Sequence, residues 1–317
     1  MREFSLGIDT SNYKTSAALT DMDGNIICDE RRLLTVKEGE RGLRQQDALF
    51  QHIKALPQVL RPVLETARHG RIVAVSASDA PRRRAGSYMP VFTAGVSAAE
   101  IIAAMLGVEV QFFSHQEGHI AAARRGTLIE HMSDFLAFHF SGGTTEGLAV
   151  TGASSEIVAG TRDISYGQVL DRIGVLMGFG FPCGETLDAL ASGYMLKNGI
   201  PKKNILPKIR TSDGFIDLLG LETAFAREFA KRYTEDDMLV AYLFMRITES
   251  MADMTRTAAE KTGLNDVIYA GGVSSSCTIR MLLPAMTYGI SICFGEPSLA
   301  SDNAVGTAML GGRNIWK

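Results

Sequence analysis

The chain has 317 residues, 46% apolar and 21% charged, with a formal charge of −3. That length exceeds what one core usually spans, so two lobes are expected, and the composition is that of a folded soluble chain rather than a disordered one. The near-neutral charge excludes a globally basic nucleic-acid binder and leaves only a local patch for such contact.

The longest apolar runs, such as MLVAYLFM at 238–245, are too short to span a bilayer, so no membrane role is expected. The opening MREFSLGIDT runs straight into a strand pattern without signal-peptide character. Cys28, Cys183, Cys277 and Cys293 are scattered, with no C-x-x-C. They read as reduced thiols of a cytoplasmic protein, not as metal ligands.

In chain order, FSLGID (4–9) and TSAALTD (15–21) are strand-like, with Thr10 to Lys14 as the hairpin tip. DMDGN (21–25) is a second turn, and IICDERRLL a third strand. Apolar spacing near 3.6 predicts a helix over 47–70, closed by Gly70 and kinked or divided at Pro57 and Pro62. RIVAVSAS (71–78) is a strand, 96–107 a small-residue helix, and VEVQFF (108–113) a strand. The second half repeats the opening: strands at 134–143, 144–150 and 153–160, joined by turns. The repetition is architectural rather than a sequence repeat. A long helix over about 236–262 ends at Gly263, and DVIYAGGVSSS (266–276) is a strand running into glycines.

Two glycine turns suggest phosphate chemistry. Gly142 and Gly143 follow Ser141 at a hairpin, where backbone N–H groups can approach an anion without Cβ obstruction. Gly271 and Gly272 follow a strand and precede a helix, a place where a nucleotide packs on backbone. Each pair alone is as well explained by a plain turn. Together with the polar first hairpin, IDTSNYKTSAAL, FHFSGGTTEGLAV and VIYAGGVSSS resemble, in order, the two phosphate hairpins and adenosine turn of the actin, sugar-kinase and heat-shock ATPase (ASKHA) superfamily.

SHQEGHI (114–120) places His115 and His119 four apart, on one helical face. In zinc proteases the glutamate directly follows the first histidine. Here Glu117 lies two residues on, about 200° around the helix and away from that face. A protease is therefore not expected, while a two-histidine metal site stays open beside an ordinary helix start. Iron, zinc or manganese would suit imidazole better than calcium.

The order of motifs resembles the TsaD (Gcp-like, glycoprotease) family of tRNA threonylcarbamoyladenosine synthases. LGIDTSNYKT is similar to its G-I-E-T-S-C-D-E-T, SHQEGHIAAA to its H-x-E-G-H, and FHFSGGTTE to its S-G-G-H-T-Q. GQVLDRIGVLMGFGFPCGETLDALA, YAGGVSSS and SDNAVGTAMLG resemble its F-D-K…P-G-G-P, A-G-G-V-A-A-N and T-D-N-A segments, so the likeness runs from about 4 to 312. It implies two actin-like (ribonuclease H-like) α/β lobes with mixed five-stranded sheets around an ATP and metal cleft. The first lobe would cover 1–112, with a final helix from Asp302 packing back on it, and the second 133–301. The metal-motif connection would cover 113–132.

The resemblance also implies the site. One divalent metal (iron, zinc or manganese, with magnesium as an alternative) would be held by His115, His119 and Asp302. Ser141, Gly142 and Gly143 would meet the phosphates of ATP or an acyl-adenylate. Asp171, Gly184 and Asp188 would meet the ribose, and Gly271, Gly272 and Ser276 the adenine. The implied activity is transfer of threonylcarbamoyl from its adenylate to N6 of a tRNA adenosine, with tRNA and partner proteins as partners.

The departures cluster at the chemistry. The family's acidic pair becomes Tyr13 and Lys14, placing a cation for a phosphate or a substrate carboxylate on what is otherwise a solvated tip. Thr144, Thr145 and Glu146 replace H-T-Q, Ser276 replaces the adenine-side asparagine, and Cys183 replaces a glycine. DAPRRRAGSYMP (79–90) replaces a P-G-L segment, and its Arg82–Arg84 run is either a phosphate contact or a solvated loop. These changes suggest a paralogue with an altered acyl group or acceptor. The alternative is a nucleotide-binding partner or regulatory subunit without transfer activity. A small-molecule kinase ranks last, lacking a convincing catalytic aspartate.

Overall fold

The computed structural model describes all residues except 12, 37–42, 84–85, 153 and 314–317. The chain forms two compact units. One is Met1–Arg125 with the C-terminal stretch from Ser298, and the other is Gly126–Pro297. The pattern of α-helices around mixed sheets is as the sequence suggests.

In the first unit β1 (Arg2–Asp9), β2 (Lys14–Asp21) and β3 (Ile26–Leu33) form an antiparallel meander. After α1 (Gln45–Ala67), β4 (Gly70–Ala80) pairs parallel with β1. After α2 (Phe92–Leu106), β5 (Val110–Ser114) pairs parallel with β4, giving the order β3-β2-β1-β4-β5. α3 (His115–Arg124) follows directly.

The second unit repeats this plan. β6 (Asp134–Phe140), β7 (Thr145–Thr151) and β8 (Ser154–Thr161) form the meander. α4 (Tyr166–Leu176) and α5 (Gly184–Asn198) follow, then β9 (Phe215–Ile216), α6 (Leu219–Lys231) and α7 (Asp236–Thr262). β10 (Asp266–Ala270) pairs parallel with β6, and beyond α8 (Cys277–Met286), β11 (Ser291–Phe294) pairs parallel with β10. The two-residue β9 extends this sheet to six strands rather than the expected five, in the order β11-β10-β6-β7-β8-β9. The chain then returns to the first unit with α9 (Val305–Arg313).

Two further expectations are corrected. α1 is one continuous helix through Pro57 and Pro62, ending before Gly70, which opens β4. The carbonyls that the prolines leave without an N–H partner belong to Ile53 and Gln58, both on the exposed face, where water can serve them. The last helix starts at Val305, not at Asp302. Asn303 accepts from the Val305 N–H and donates to the Leu299 and Ser301 carbonyls, so Asp302 sits in a built turn ahead of the helix.

The first sheet is covered on both faces. Phe4, Leu6, Ile8, Leu19 and Val75 pack on one side with Val59 and Val63 of α1 and Ala99 of α2. Strand alternation turns Ser5, Gly7 and Asp9 to the other side. There α9 packs so closely that a Cβ at Gly7 would come within 2.5 Å of the Ala308 nitrogen and the Ala304 carbonyl. α9 also meets α3, where a Cβ at Gly306 would fall 1.8 Å from the Gly118 carbonyl oxygen. This glycine contact brings the turn before α9 to the first turns of α3. α7 is buried nearly all round, with Leu239, Leu243, Ile247, Met251 and Met254 in the second core, and ends at a left-handed Gly263.

Candidate metal centre and nucleotide turns

α3 begins with a capping box. The Ser114 hydroxyl accepts from the Glu117 N–H, and the Glu117 carboxylate accepts from the Ser114 N–H. The same Glu117 oxygen takes the Ser114 hydroxyl at 2.7 Å and the Arg83 Nε at 2.9 Å. Glu117 is therefore a helix-start residue whose carboxylate is engaged, in line with its offset from the histidine face.

Arg83 is engaged as well. Its other nitrogens donate to both Asp79 carboxylate oxygens and to the Phe112 carbonyl. The Pro81 carbonyl also accepts from the Gln116 N–H. The 79–83 loop thus braces the start of α3. Of the arginine run, open between a phosphate contact and a solvated loop, Arg83 has its donors turned to protein, and Arg84 lies outside the described residues.

His115 and His119 point their Nε2 atoms together, 3.0 Å apart, and each lies 3.4 Å from Asp302 Oδ1. Two ligands at about 2.1 Å from one ion are separated by roughly 3.0 Å at a right angle and 3.4 Å at the tetrahedral angle, so these donors fit one divalent cation. Two imidazoles and a carboxylate suit a borderline transition metal. The triad spans α3 and the turn before α9, all in the first unit.

Behind His115 lies Asp9, fully buried at the end of β1. Its Oδ2 accepts from His115 Nδ1 at 2.9 Å and from the Ser11 hydroxyl at 3.0 Å, and its Oδ1 accepts from the Ser11 N–H. Ser11 Oγ lies 3.4 Å from His115 Nε2. Arg31 of β3 donates to the Ser298 carbonyl and the Ser301 hydroxyl, holding the segment that carries Asp302. The sequence reading missed Asp9, Ser11 and Arg31; the Ser114-x-x-Glu117 pattern was there to be read as a helix start.

The charges are interdependent. Burial alone would lower the His115 pKa, but Asp9 and Asp302 overcome it and push the value up to about 10. Burial and the neighbouring His115 lower the His119 pKa. Burial opposes ionisation of Asp302, yet the two imidazoles hold it well below the carboxylate range. Lys14 opens β2, and its pKa is lowered by burial, against the attraction of Asp302.

In the second unit, the Ser141 N–H donates to the Thr144 carbonyl, closing the hairpin around Gly142 and Gly143. A Cβ at either glycine would meet nothing within 4 Å, so this backbone is open to a ligand. The Ser165 hydroxyl, which caps α4, donates to the Gly142 carbonyl and fixes the loop from behind. A Cβ at Gly167 would strike the Gly142 Cα at 2.5 Å, so α4 needs glycine there. Gly271 has φ 88°, and its Cβ would lie 2.4 Å from the Phe140 carbonyl oxygen. Gly272 is open and begins a 3-10 turn, Gly272–Ser275.

Asp171 lies on α4, where burial raises its pKa against the Cys183 N–H that it accepts. Gly184 begins α5 and is open. Asp188 accepts from the Ser276 hydroxyl at 2.6 Å and from the N–H groups of Cys277 and Thr278. The Ser276 hydroxyl in turn caps α8 by accepting from the Ile279 N–H. Asp188 and Ser276 are thus bonded to each other and to the start of α8.

Sheet order and helix placement define an actin-like, ASKHA-type fold, and solved structures agree. HypF from T. kodakarensis aligns with a TM-score of 0.64 at 14% identity, over 98% of this chain and 47% of that one. Component A of (R)-2-hydroxyglutaryl-CoA dehydratase from Acidaminococcus fermentans aligns at 0.57 and 15% identity, over 99% of each chain.

Sequence comparison then narrows the class. The family model "TsaD: tRNA N6-adenosine threonylcarbamoyltransferase" matches residues 35–309. A protein of that name from Syntrophotalea carbinolica is 30% identical, over 90% of this chain and 87% of its own length. One from Neorickettsia sennetsu is 28% identical, over 94% and 90%. The chain belongs to the TsaD family of transferases.

Proposed function

We propose that this chain is a metal-dependent transferase that moves a threonylcarbamoyl or related carbamoyl group from an adenylate to N6 of a tRNA adenosine. The observation that carries this reading is the convergence of His115, His119 and Asp302 on one point, within 4.8 Å of one another. A divalent cation held there would supply Lewis-acid stabilisation of negative charge on phosphate and acyl oxygens.

The chain's own groups do the rest. The open backbone of Ser141, Gly142 and Gly143 offers N–H groups to phosphate oxygens. Asp171 accepts from the ribose hydroxyls, beside the open Gly184. Gly271 and Gly272 give the adenine a flat backbone surface. Asp188 and Ser276 act here as a brace, holding α8 and the turn before it. Lys14 contacts a phosphate or a substrate carboxylate. Partner proteins complete the activity, in the cytoplasm. Among the described residues no helix is long and apolar enough to cross a membrane.

Two features favour a second reading, a paralogue that binds nucleotide as a partner or regulatory subunit. Lys14 stands where the family carries an acid, and the Ser276 hydroxyl is occupied by Asp188. Calorimetric titration with ATP and with threonylcarbamoyl-AMP, each with metal and after chelation, separates the two. Metal-dependent binding of the acyl-adenylate supports the transferase. Binding of ATP alone, indifferent to metal, supports the paralogue.

A further inference from the structure

We propose that Asp9 is a positioning residue for His115, fixing which imidazole nitrogen faces the metal point. The inference rests on the metal reading above. Asp9 is fully buried, and a buried carboxylate must have its lone pairs taken up. Its donors are the Ser11 N–H, the Ser11 hydroxyl and His115 Nδ1.

A carboxylate only accepts, so the proton of that contact sits on His115 Nδ1. A ring that ligates a metal is the neutral one, with a single ring proton. With it on Nδ1, the Nε2 lone pair faces His119 and Asp302. With it on Nε2, an N–H would occupy the point that the ligands share. Asp9 selects the first tautomer and holds the ring plane.

Asp9 cannot easily swing away. The Ser16 hydroxyl donates to its carbonyl. The next residue, Thr10, donates to the Val91 carbonyl and accepts from the Gly95 N–H. The carboxylate is thus mounted on a fixed strand end, the arrangement in which an outer carboxylate tunes a ligand histidine.

The test uses the full chain and Zn²⁺ alone. Zinc affinity is measured by competition with a chromophoric chelator for wild type, His115→Ala and Asp9→Asn. The ring tautomer of His115 is read by long-range ¹⁵N–¹H NMR in the zinc-loaded protein. Asp9→Asn keeps the shape, but its amide can donate to Nδ1 and so favour the wrong tautomer. The expected result is about 10- to 100-fold weaker zinc binding with an unchanged circular-dichroism spectrum, and Nδ1–H in wild type. Asp9→Asn binding zinc within about twofold of wild type, or a wild-type ring protonated at Nε2, overturns the assignment. If Asp9→Asn fails to fold, the wild-type Nδ1 proton decides: a downfield, slowly exchanging signal supports its bond to Asp9, and one in fast exchange with water overturns the assignment. Wild-type zinc binding that survives His115→Ala instead removes the metal reading and the Asp9 assignment with it.

Discussion

Five strands of each unit share one order, but the glycines at the two candidate sites differ: those of the first are closed by packing, and those of the second include open ones. In the first unit, Gly7, Gly118 and Gly306 are places where two backbones nearly touch. In the second, Gly142, Gly143 and Gly272 face open space. On the proposed function, the difference follows from what each site would hold. A metal needs side-chain donors from separate elements converging on a point, so the elements themselves must pack without side chains between them. A phosphate or a base can be met by backbone, so Gly142, Gly143 and Gly272 are left uncovered, while Gly167 and Gly271 make the close contacts that hold that backbone. The β1–β2 and β6–β7 hairpins occupy equivalent places, yet one supplies Asp9 and Ser11 and the other supplies Ser141–Gly143.

The largest effect that would break this contrast is at Gly306. Gly306→Ala puts a Cβ on the Gly118 carbonyl oxygen, which must force α9 off α3. A loss of about 3 kcal/mol or more is expected from such overpacking, with loss of metal binding. Thermal unfolding and metal content read it; an unchanged melting temperature would mean that the close contact is not required. Gly271→Ala is the matching change in the second unit. It introduces both a positive-φ penalty and a clash with the Phe140 carbonyl. About 1–3 kcal/mol and weakened ATP binding are expected, with metal content kept. If Gly271→Ala instead lost metal and kept ATP, the division of labour would be wrong.

Smaller effects sharpen the picture around α3. Arg83→Ala removes the partly exposed ion pair with Glu117 and the ties to Asp79 and Phe112. Solvent screening limits the stability loss to about 1 kcal/mol. Metal affinity should fall severalfold because the helix start loosens, while RNA affinity stays unchanged. A drop in RNA binding without a change in metal affinity would restore the phosphate-contact reading of this loop.

Much of the fold was legible because it rests on local signals. The strand–turn–strand repetition, the long helix to Gly263 and the small-residue α2 all carry period and breaker patterns. The paired histidines were legible by spacing alone, but Asp302 came only from the family resemblance, since no local pattern links it to α3. Asp9 was hidden for the same reason: a carboxylate at a strand end reads as a turn residue until the fold brings His115 to it. The expected division at the prolines does not occur, because local rules ignore which face is wet; Ile53 and Gln58 can leave their carbonyls to water. Arg82–Arg84 left a phosphate contact and a solvated loop both open, because sequence cannot show that Arg83 pairs with Asp79 and Glu117.

The smallest expected effect concerns acid, in the second unit away from the turns. Asp163 accepts from the N–H groups of Ile164, Leu218 and Leu219 and from the Thr161 hydroxyl. Burial alone would raise its pKa, but these donors outweigh it and depress the value. A depressed folded-state pKa adds stability that is present above the unfolded value near 3.9 and is lost as pH falls through the folded one. Asp163→Asn should therefore reduce stability at pH 7 and make the acid limb of the unfolding profile shallower below about pH 4. Because this carboxylate is largely exposed, the loss at pH 7 should be only about 0.5 kcal/mol. Urea midpoints for wild type and variant, taken from pH 7 down to pH 3, should converge at the acid end. Midpoints that stay parallel across that range would mean that the Asp163 charge contributes nothing and that the β8–α6 junction is held by packing alone.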